Sequence, residues 1–403
     1  MNEQKYDYNT MINRTKTGSV KWDEMKEWNP NVPQEVYPFS VADSDLRLAP
    51  EIIEGLQEFI TNDLSLGYTH ADESYTSAVQ NWMTKHHNFT PKAEWIVQTP
   101  GVVPAINFAI RALTREGDGI VIMPPVYYPF YDTIKHAKRH ITESPLINQG
   151  THYEIDFEHL EHKLKQPQNT MLVLCSPHNP VSRVWTREEL EKIAELCIRY
   201  DVYLVSDEIH SDLILPGHKH TVMATISKEI EQQVVICTAA SKTFNIAGQC
   251  VSNIIIPNKE MRERFIAEKE SYGIKTVSAL GLATTKIAYE RAGGWLDGFL
   301  ELVVENHRVI KEFFVQNYPE VKVFDLEGTY LQWIDMRALG FGVSELEEFL
   351  NQEALDFFDQ GYIFGPSGEG FERINLAAST ESIRQMLDRF KEAMEQYQYQ
   401  SQR

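Results

Sequence analysis

The chain has 403 residues, more than the ~250 to 300 at which a single hydrophobic core stops growing, so two domains are expected. Fifty-eight acidic residues against thirty-eight Lys plus Arg leave a net charge of -20, which repels nucleic acid and anionic membranes and argues against both as partners. The four cysteines show no CxxC spacing, no stretch approaches the ~18 apolar residues of a membrane span, and residues 1–7 carry no apolar leader; the expectations are no metal, reduced thiols and a cytoplasmic protein.

In chain order, residues 1–48 contain Pro30, Pro33 and Pro38 and no long helical pattern, so they read as an arm, expected to pack with the C-terminal domain. From 49 to 288 short apolar runs alternate with helical patterns, which predicts a large α/β domain with a mainly parallel sheet between helices. The runs read as strands are 95–99, 119–123, 170–175, 202–206, 234–237 and 249–256. Helical character then dominates 279–318, and the segments 321–324 and 329–334 read as a hairpin within a smaller α+β domain spanning 289–403. The last eight residues, from Gln396, are polar and expected to fray.

Five segments at or just past strand ends carry the chemistry. Gly101, with Val102 and Val103, opens a helix, where free backbone N–H groups and the helix dipole suit a phosphate. Taken alone it would be an ordinary strand-to-helix turn. Tyr127, in Pro125-Val126-Tyr127-Tyr128, can lie against a flat ring or simply fill the core. Asn179, in Ser176-Pro177-His178-Asn179-Pro180, can donate to a phenolic oxygen. Asp207 ends the run Leu204-Val205-Ser206-Asp207, 35 positions before Lys242 in Ala240-Ser241-Lys242-Thr243. A lysine just past a buried strand is driven toward its neutral, nucleophilic form, and a buried aspartate can keep a pyridinium nitrogen protonated. Together they point to a pyridoxal phosphate enzyme.

The ordered set resembles the fold type I pyridoxal phosphate superfamily, aminotransferase class I and II, and within it the PatB/MalY-type cystathionine β-lyase branch. The resemblance runs from Gly18-Ser19-Val20-Lys21-Trp22-Asp23 through Val41-Ala42-Asp43-Ser44-Asp45, Gly67-Tyr68-Thr69 and the Lys242 segment. It continues to Gly294-Trp295-Leu296, Thr329-Tyr330-Leu331-Gln332-Trp333 and Phe371-Glu372-Arg373-Ile374-Asn375. It implies a seven-stranded sheet in the large domain, a Schiff-base and proton-carrying role for Lys242, and a pyridinium partner in Asp207. It further implies Asn179 on the phenolic oxygen, Tyr127 stacked on the ring, and Gly101, Val102, Val103 and Ser241 at the phosphate. Tyr68 would serve the site of a neighbouring subunit, both at the phosphate and in catalysis, which requires a homodimer. The substrate would meet Arg373 at its α-carboxylate, with Asn179, Ala42 and Tyr128 beside it.

This sequence departs from aminotransferase relatives at Cys250, where many have arginine on the phosphate, and at His210, where many have tyrosine as a second donor to the phenolic oxygen. Ser182 replaces a glycine after the Asn-Pro turn. Ser40, Ser44, Tyr128 and the loop around Tyr272 are expected to line the substrate entrance. The implied activity is a carbon–sulfur β-lyase acting on cystathionine or other S-substituted cysteines. An aminotransferase for aromatic or neutral amino acids, and a regulator that binds a protein partner, are the alternatives. Which thioether is natural is not legible in the residues.

Overall fold

The computed structural model describes residues 5–62 and 67–401. Its principal sheet contains β1 (Ile96–Thr99), β2 (Gly119–Ile122), β3 (His140–Glu143), β4 (Asn169–Cys175), β5 (Tyr203–Asp207), β6 (Val234–Thr238) and β7 (Ser252–Ile255), in the order β1-β7-β6-β5-β4-β2-β3. Strands β3, β2, β4, β5 and β6 pair in parallel, while β7 runs antiparallel to β1 and β6. The continuous apolar runs arise because both faces are covered. In β4, Met171, Val173 and Cys175 enter one core, with Ile106, Ala109 and Phe265, while Leu172 and Leu174 enter the other, with Leu190 and Ile193.

Register positions the functional residues. Cys175 lies opposite Asp207, and Asp207 opposite Cys237, so β4, β5 and β6 end level with one another. The loop with Asn179 and the one-turn helix Ala240–Thr243 leave this same edge, the position where open α/β sheets gather ligands.

A second sheet, wholly antiparallel, contains β8 (Lys322–Val323), β9 (Leu331–Asp335), β10 (Asp359–Gln360) and β11 (Phe371–Asn375), ordered β8-β9-β11-β10. The helices Gly293–Asn317 and Thr380–Ser401 accompany it. Asp359 stands directly opposite Arg373 in the register, which sets a carboxylate beside a guanidinium on one face.

Three sequence expectations need adjustment. The N-terminal segment contains a nine-residue helix, Val20–Trp28, whose Trp22 and Met25 are buried with Val32, Val36 and Phe357. The segment is held further by Phe39 N donating to Phe357 O (2.9 Å), Asn375 N to Phe39 O (2.8 Å), and Asn29 Nδ2 to Asn351 O (3.0 Å). The C-terminal end does not fray from Gln396: the helix continues to Ser401, and Tyr397 Oη donates to Glu345 at 2.6 Å. The strand expected over 249–256 is shorter, because Ala247–Gln249 forms a 3-10 turn and Cys250 is left-handed at φ 51°. Among the described residues no helix is long and apolar enough to cross a membrane.

Candidate active site

A cavity of about 230 Å³ opens at the level ends of β4, β5 and β6 and beneath residues 41–42 of the N-terminal segment. Its lining brings together Lys242, Asp207, Asn179, Arg373, Tyr127 and His210. Gly101, Val102, Val103, Ser241, Ala42 and Tyr128 complete the sequence-derived residues that it contains.

Lys242 reaches the cavity because Ala239 is extended after β6 and the single helical turn that follows lifts the side chain off the sheet. Its Nζ donates to Ala42 O at 2.7 Å, an oxygen that also accepts from Tyr330 Oη at 2.9 Å. Burial, helped by Arg373 and opposed by Asp43, Asp207 and Asp359, pulls the amine down to about 8. An appreciable neutral fraction therefore exists near neutrality, as a nucleophilic amine requires. Behind the turn, Thr243 Oγ1 donates to Asp212 (2.7 Å), which also binds Trp82 Nε1 (3.0 Å) and His87 Nε2 (2.6 Å). This brace ties the lysine turn to the helix Glu73–His87, and nothing in the sequence reading had singled it out.

Asp207 is 3% exposed. Among the described residues its side chain accepts one hydrogen bond, from Ile209 N at 3.2 Å. Burial, opposed by the Ile209 N–H and Lys242 and aided by Glu208, pushes its carboxyl up to about 7. A buried acid with no cation in contact suits a protonated ring nitrogen, which would restore its charged form. The adjacent Glu208 has a different task, accepting from His220 Nε2 (2.9 Å), Ser206 Oγ (2.9 Å) and Met223 N (3.0 Å).

Gly101 caps the helix Val102–Leu113 at φ 147°, a conformation in which a side chain would be strained. The first helical bond is Ala105 N to Gly101 O at 3.3 Å, and Pro104 has no N–H. The Val102 and Val103 amides are thus the free donors of this N-terminus, with Ser241 also at the cavity wall. These donors, the buried Asp207 and the low-pKa Lys242 fit pyridoxal phosphate at its phosphate, its ring nitrogen and its aldehyde respectively.

Arg373 is 2% exposed and already organised. Its Nε (3.1 Å) and Nη2 (2.5 Å) donate to Asp359 Oδ2, and its Nη1 donates to Asn179 Oδ1 at 2.9 Å. The Phe364 ring lies under the guanidinium at 4.7 Å. With its oxygen on Arg373, Asn179 keeps its amide N–H₂ for the cavity. His210 is buried, its Nδ1 has no hydrogen-bond partner among the described residues, and burial with Lys242 and Arg373 nearby drives its pKa far down. It is a neutral imidazole. Tyr127 borders the cavity and meets Phe130 edge-on at 5.7 Å.

Some expected residues lie elsewhere. Tyr68 is 100% exposed and outside the cavity of its own chain. Ser40 and Ser44 are buried but do not line the cavity, Ser44 Oγ donating instead to Ala377 O at 2.7 Å. Tyr272 packs on Phe108 (5.7 Å), away from the site. Ser182 holds φ 60°, where glycine is easiest, and bonds Thr329 Oγ1 at 3.1 Å. Cys250 does line the cavity. The sequence reading missed Asp359, Tyr330 as a support of Ala42, and Cys175 in the lining.

The segment 41–45 is fastened over the site by an ionic cluster in which Lys21 and Asp45 are buried and Arg14 and Asp43 partly exposed. Lys21 Nζ lies 3.1 Å from Asp43 and 2.9 Å from Asp45; Arg14 lies 3.0 and 3.1 Å from the same pair. Asn245, two residues past the lysine turn, exchanges two 2.9 Å hydrogen bonds with Ser44, and Val41 N donates to Asp359 at 3.0 Å.

A family model described as aminotransferase class I and II matches residues 35–390. The chain is 39% identical over 381 residues to cystathionine beta-lyase PatB of Bacillus subtilis (strain 168), covering 94% of this chain and 98% of that protein. Among solved structures it is similar to cystalysin from Treponema denticola, whose crystal contains a pyridoxal 5'-phosphate cofactor, with a TM-score of 0.96 and 46% identity over 97% of this chain and 99% of that one. It is also similar to the PLP-bound C-S lyase from Staphylococcus hominis, with a TM-score of 0.88 and 28% identity over 96% and 98% of the two chains.

Proposed function

This chain belongs to the aminotransferase class I and II family, and we propose that within it the protein is a pyridoxal phosphate-dependent carbon–sulfur β-lyase. Its substrates would be cystathionine or other S-substituted cysteines, cleaved to thiol, pyruvate and ammonia. The observation that carries the chemistry is the convergence of Lys242, Asp207, Asn179 and Arg373 on one cavity. Those residues would equally serve a transaminase; the 39% identity to cystathionine beta-lyase PatB over 94% of the chain supports the lyase.

When bound, pyridoxal phosphate supplies a protonated ring that draws electron density from the substrate Cα. Lys242 would anchor it, then take the proton from Cα once substrate has replaced the amine. Asp207 would hold the ring nitrogen's proton. The Asn179 amide would donate to the phenolic oxygen, and the Val102 and Val103 amides with Ser241 would hold the phosphate. Tyr127 would cover the ring, and Tyr128, half-exposed at the mouth, would border the substrate. Arg373 would fix the α-carboxylate, so that the Cα–H bond faces Lys242. With a sulfur substituent on Cβ, removal of the Cα proton by Lys242 would let the thiolate leave, and one water per substrate would balance the products thiol, pyruvate and ammonia.

Arg373→Ala is expected to raise KM about 100-fold or more, because a desolvated, charge-assisted pair is lost. Cofactor content stays unchanged, and steady-state kinetics with the visible band as control will show it. An unchanged KM would make Arg373 purely structural.

The exposure of Tyr68 supports the further reading that it completes the site of a second copy of this chain. A sedimentation mass of one chain at working concentration would contradict that. Three of the four free cysteines are buried, which suits a reducing, cytoplasmic setting. The lyase reading itself is tested by acceptor independence. Without any 2-oxo acid, ammonia release from cystathionine continues far past one equivalent of enzyme; no ammonia at all, with substrate consumption halted at one equivalent until a 2-oxo acid is added, would identify a transaminase.

A further inference from the structure

We propose that Asp212 is a positioning residue for Lys242, holding the lysine turn in fixed relation to Asp207 so that amine and carboxylate meet opposite ends of one cofactor. The inference rests on the reading above that Lys242 anchors the cofactor and then works as the base at Cα. The turn that carries the lysine cannot hold itself. It has four residues, Ala240–Thr243, far short of the ~12 to 15 at which an isolated helix becomes marginally stable. Within it Phe244 N donates to Ala240 O and Ile246 N to Ser241 O, both at 3.0 Å. Its direction is therefore set from outside, by the residues that follow the lysine. Asn245 ties it to Ser44 in the roofing segment. Thr243, wholly buried, ties it to Asp212 at 2.7 Å.

Asp212 belongs to the turn that leaves β5 just after Asp207. There Ser211 N donates to Glu208 O (3.0 Å) and Leu213 N to His210 O (2.9 Å), while Glu208 N donates to Cys237 O on β6 (2.9 Å). One carboxylate thus links the segment that bears the ring-nitrogen partner to the segment that bears the amine. Its side chain is 6% exposed, and its two oxygens have separate partners. Oδ2 accepts from Thr243, whereas Oδ1 accepts from Trp82 Nε1 (3.0 Å) and His87 Nε2 (2.6 Å). Burial alone would raise this carboxyl, but the bonds from His87, Thr243 and Trp82 hold it below its usual range. It is a charged acceptor for all three. The helix Glu73–His87 that supplies two of the donors is itself fixed, by Tyr75 Oη donating to Asn253 Oδ1 on β7 (2.9 Å) and by Trp82 stacked on Tyr289 (5.0 Å). With Oδ1 held by that helix, Oδ2 has one place to be, and the lysine turn takes its position from rigid elements.

Thr243→Val keeps the shape of the side chain and removes the hydroxyl that reaches Asp212, leaving a buried charged oxygen without its donor. The test follows exchange of the L-alanine Cα hydrogen for deuterium in D2O, using cofactor-loaded protein. Alanine has no leaving group on Cβ, so Lys242 removes the proton and returns a deuteron whether the enzyme is a lyase or a transaminase. In Thr243→Val the maximal exchange rate should fall at least ~10-fold while the half-saturating alanine concentration stays within about threefold, because a displaced base costs rate and not binding. On dilution, the visible band of lysine-bound cofactor should fade at least ~3-fold faster than in wild type. Thr243→Ser restores the hydroxyl and should return the exchange rate to within about threefold of wild type. His87→Leu leaves the lysine turn and the cavity lining untouched, and should still lower the maximal rate about 3-fold or more. A merely structural Asp212 would lower the melting temperature of these variants and leave exchange and band loss as in wild type. That result in folded Thr243→Val, or in His87→Leu should the first variant not fold, would overturn the proposal, as would equal losses in Thr243→Val and Thr243→Ser. Failure of the lyase reading shows itself differently, as missing pyruvate from S-substituted cysteines, and leaves these exchange rates as measured.

Discussion

Lys242→Ala is expected to lower turnover by at least ~10⁴-fold, because it removes both the nucleophilic amine that anchors the cofactor and the base that works at Cα. No nearby group can replace it. His210 faces the same cavity, but its burial and the neighbouring Arg373, both kept in the variant, hold its pKa down, which makes it a poor proton acceptor. The fold should survive, since Lys242 makes a single hydrogen bond, to Ala42 O, and Tyr330 still donates to that oxygen. The variant should therefore be well folded by circular dichroism, lack the pH-dependent visible band of lysine-bound cofactor, and be inactive. Turnover within tenfold of wild type would remove Lys242 from the mechanism.

Asp207→Asn is expected to cost about three decades of kcat/KM. At an effective dielectric near 20, contact between a carboxylate and a ring cation is worth ~4 kcal/mol, and a loss of that size expressed at the transition state is roughly a thousandfold. Stability should move the other way. In the cofactor-free protein the carboxyl is raised from 3.8 to about 7 by burial. Between those values the folded chain binds more protons at this position than the unfolded chain, so Asp207 costs stability increasingly as pH rises through the window. Asparagine removes that cost. The cofactor-free variant should melt no lower than wild type at pH 7 and gain on it between pH 4 and 7. A variant that loses activity and melts lower throughout would place Asp207 among the structural residues instead.

The central sheet was legible because β-branched, apolar runs between helical patterns have few other uses. The direction of β7 was not, since a run buried on both faces looks the same whether parallel or antiparallel. Strand β3, His140-Ile141-Thr142-Glu143, went unread because it is an edge strand with a partly exposed, polar composition. The chemistry-bearing residues were visible one by one, as lysine, aspartate and asparagine beyond strand ends. What joins them was hidden wherever it depends on backbone or on pairing. Ala42 acts through its carbonyl oxygen, which no side chain announces. Asp359 sits in a two-residue strand, and its role follows from standing opposite Arg373. Asp212 supports the lysine turn only because helix Glu73–His87 brings Trp82 and His87 against it.

The Asp359–Arg373–Asn179 chain changes how the site should be pictured. A free arginine would accept a carboxylate in several orientations; one held on two sides offers a single seat. The same carboxylate receives Val41 N, so the segment that roofs the cavity and the residue that grips the substrate share one anchor.

The most direct test of the account follows thiol and pyruvate together, using cofactor-loaded protein, cystathionine and a panel of S-alkyl cysteines, with no 2-oxo acid present. Equal release of both products over many turnovers, absent in Lys242→Ala, is the predicted result. Bleaching of the visible band once, with recovery only on adding a 2-oxo acid and neither product released, would contradict it.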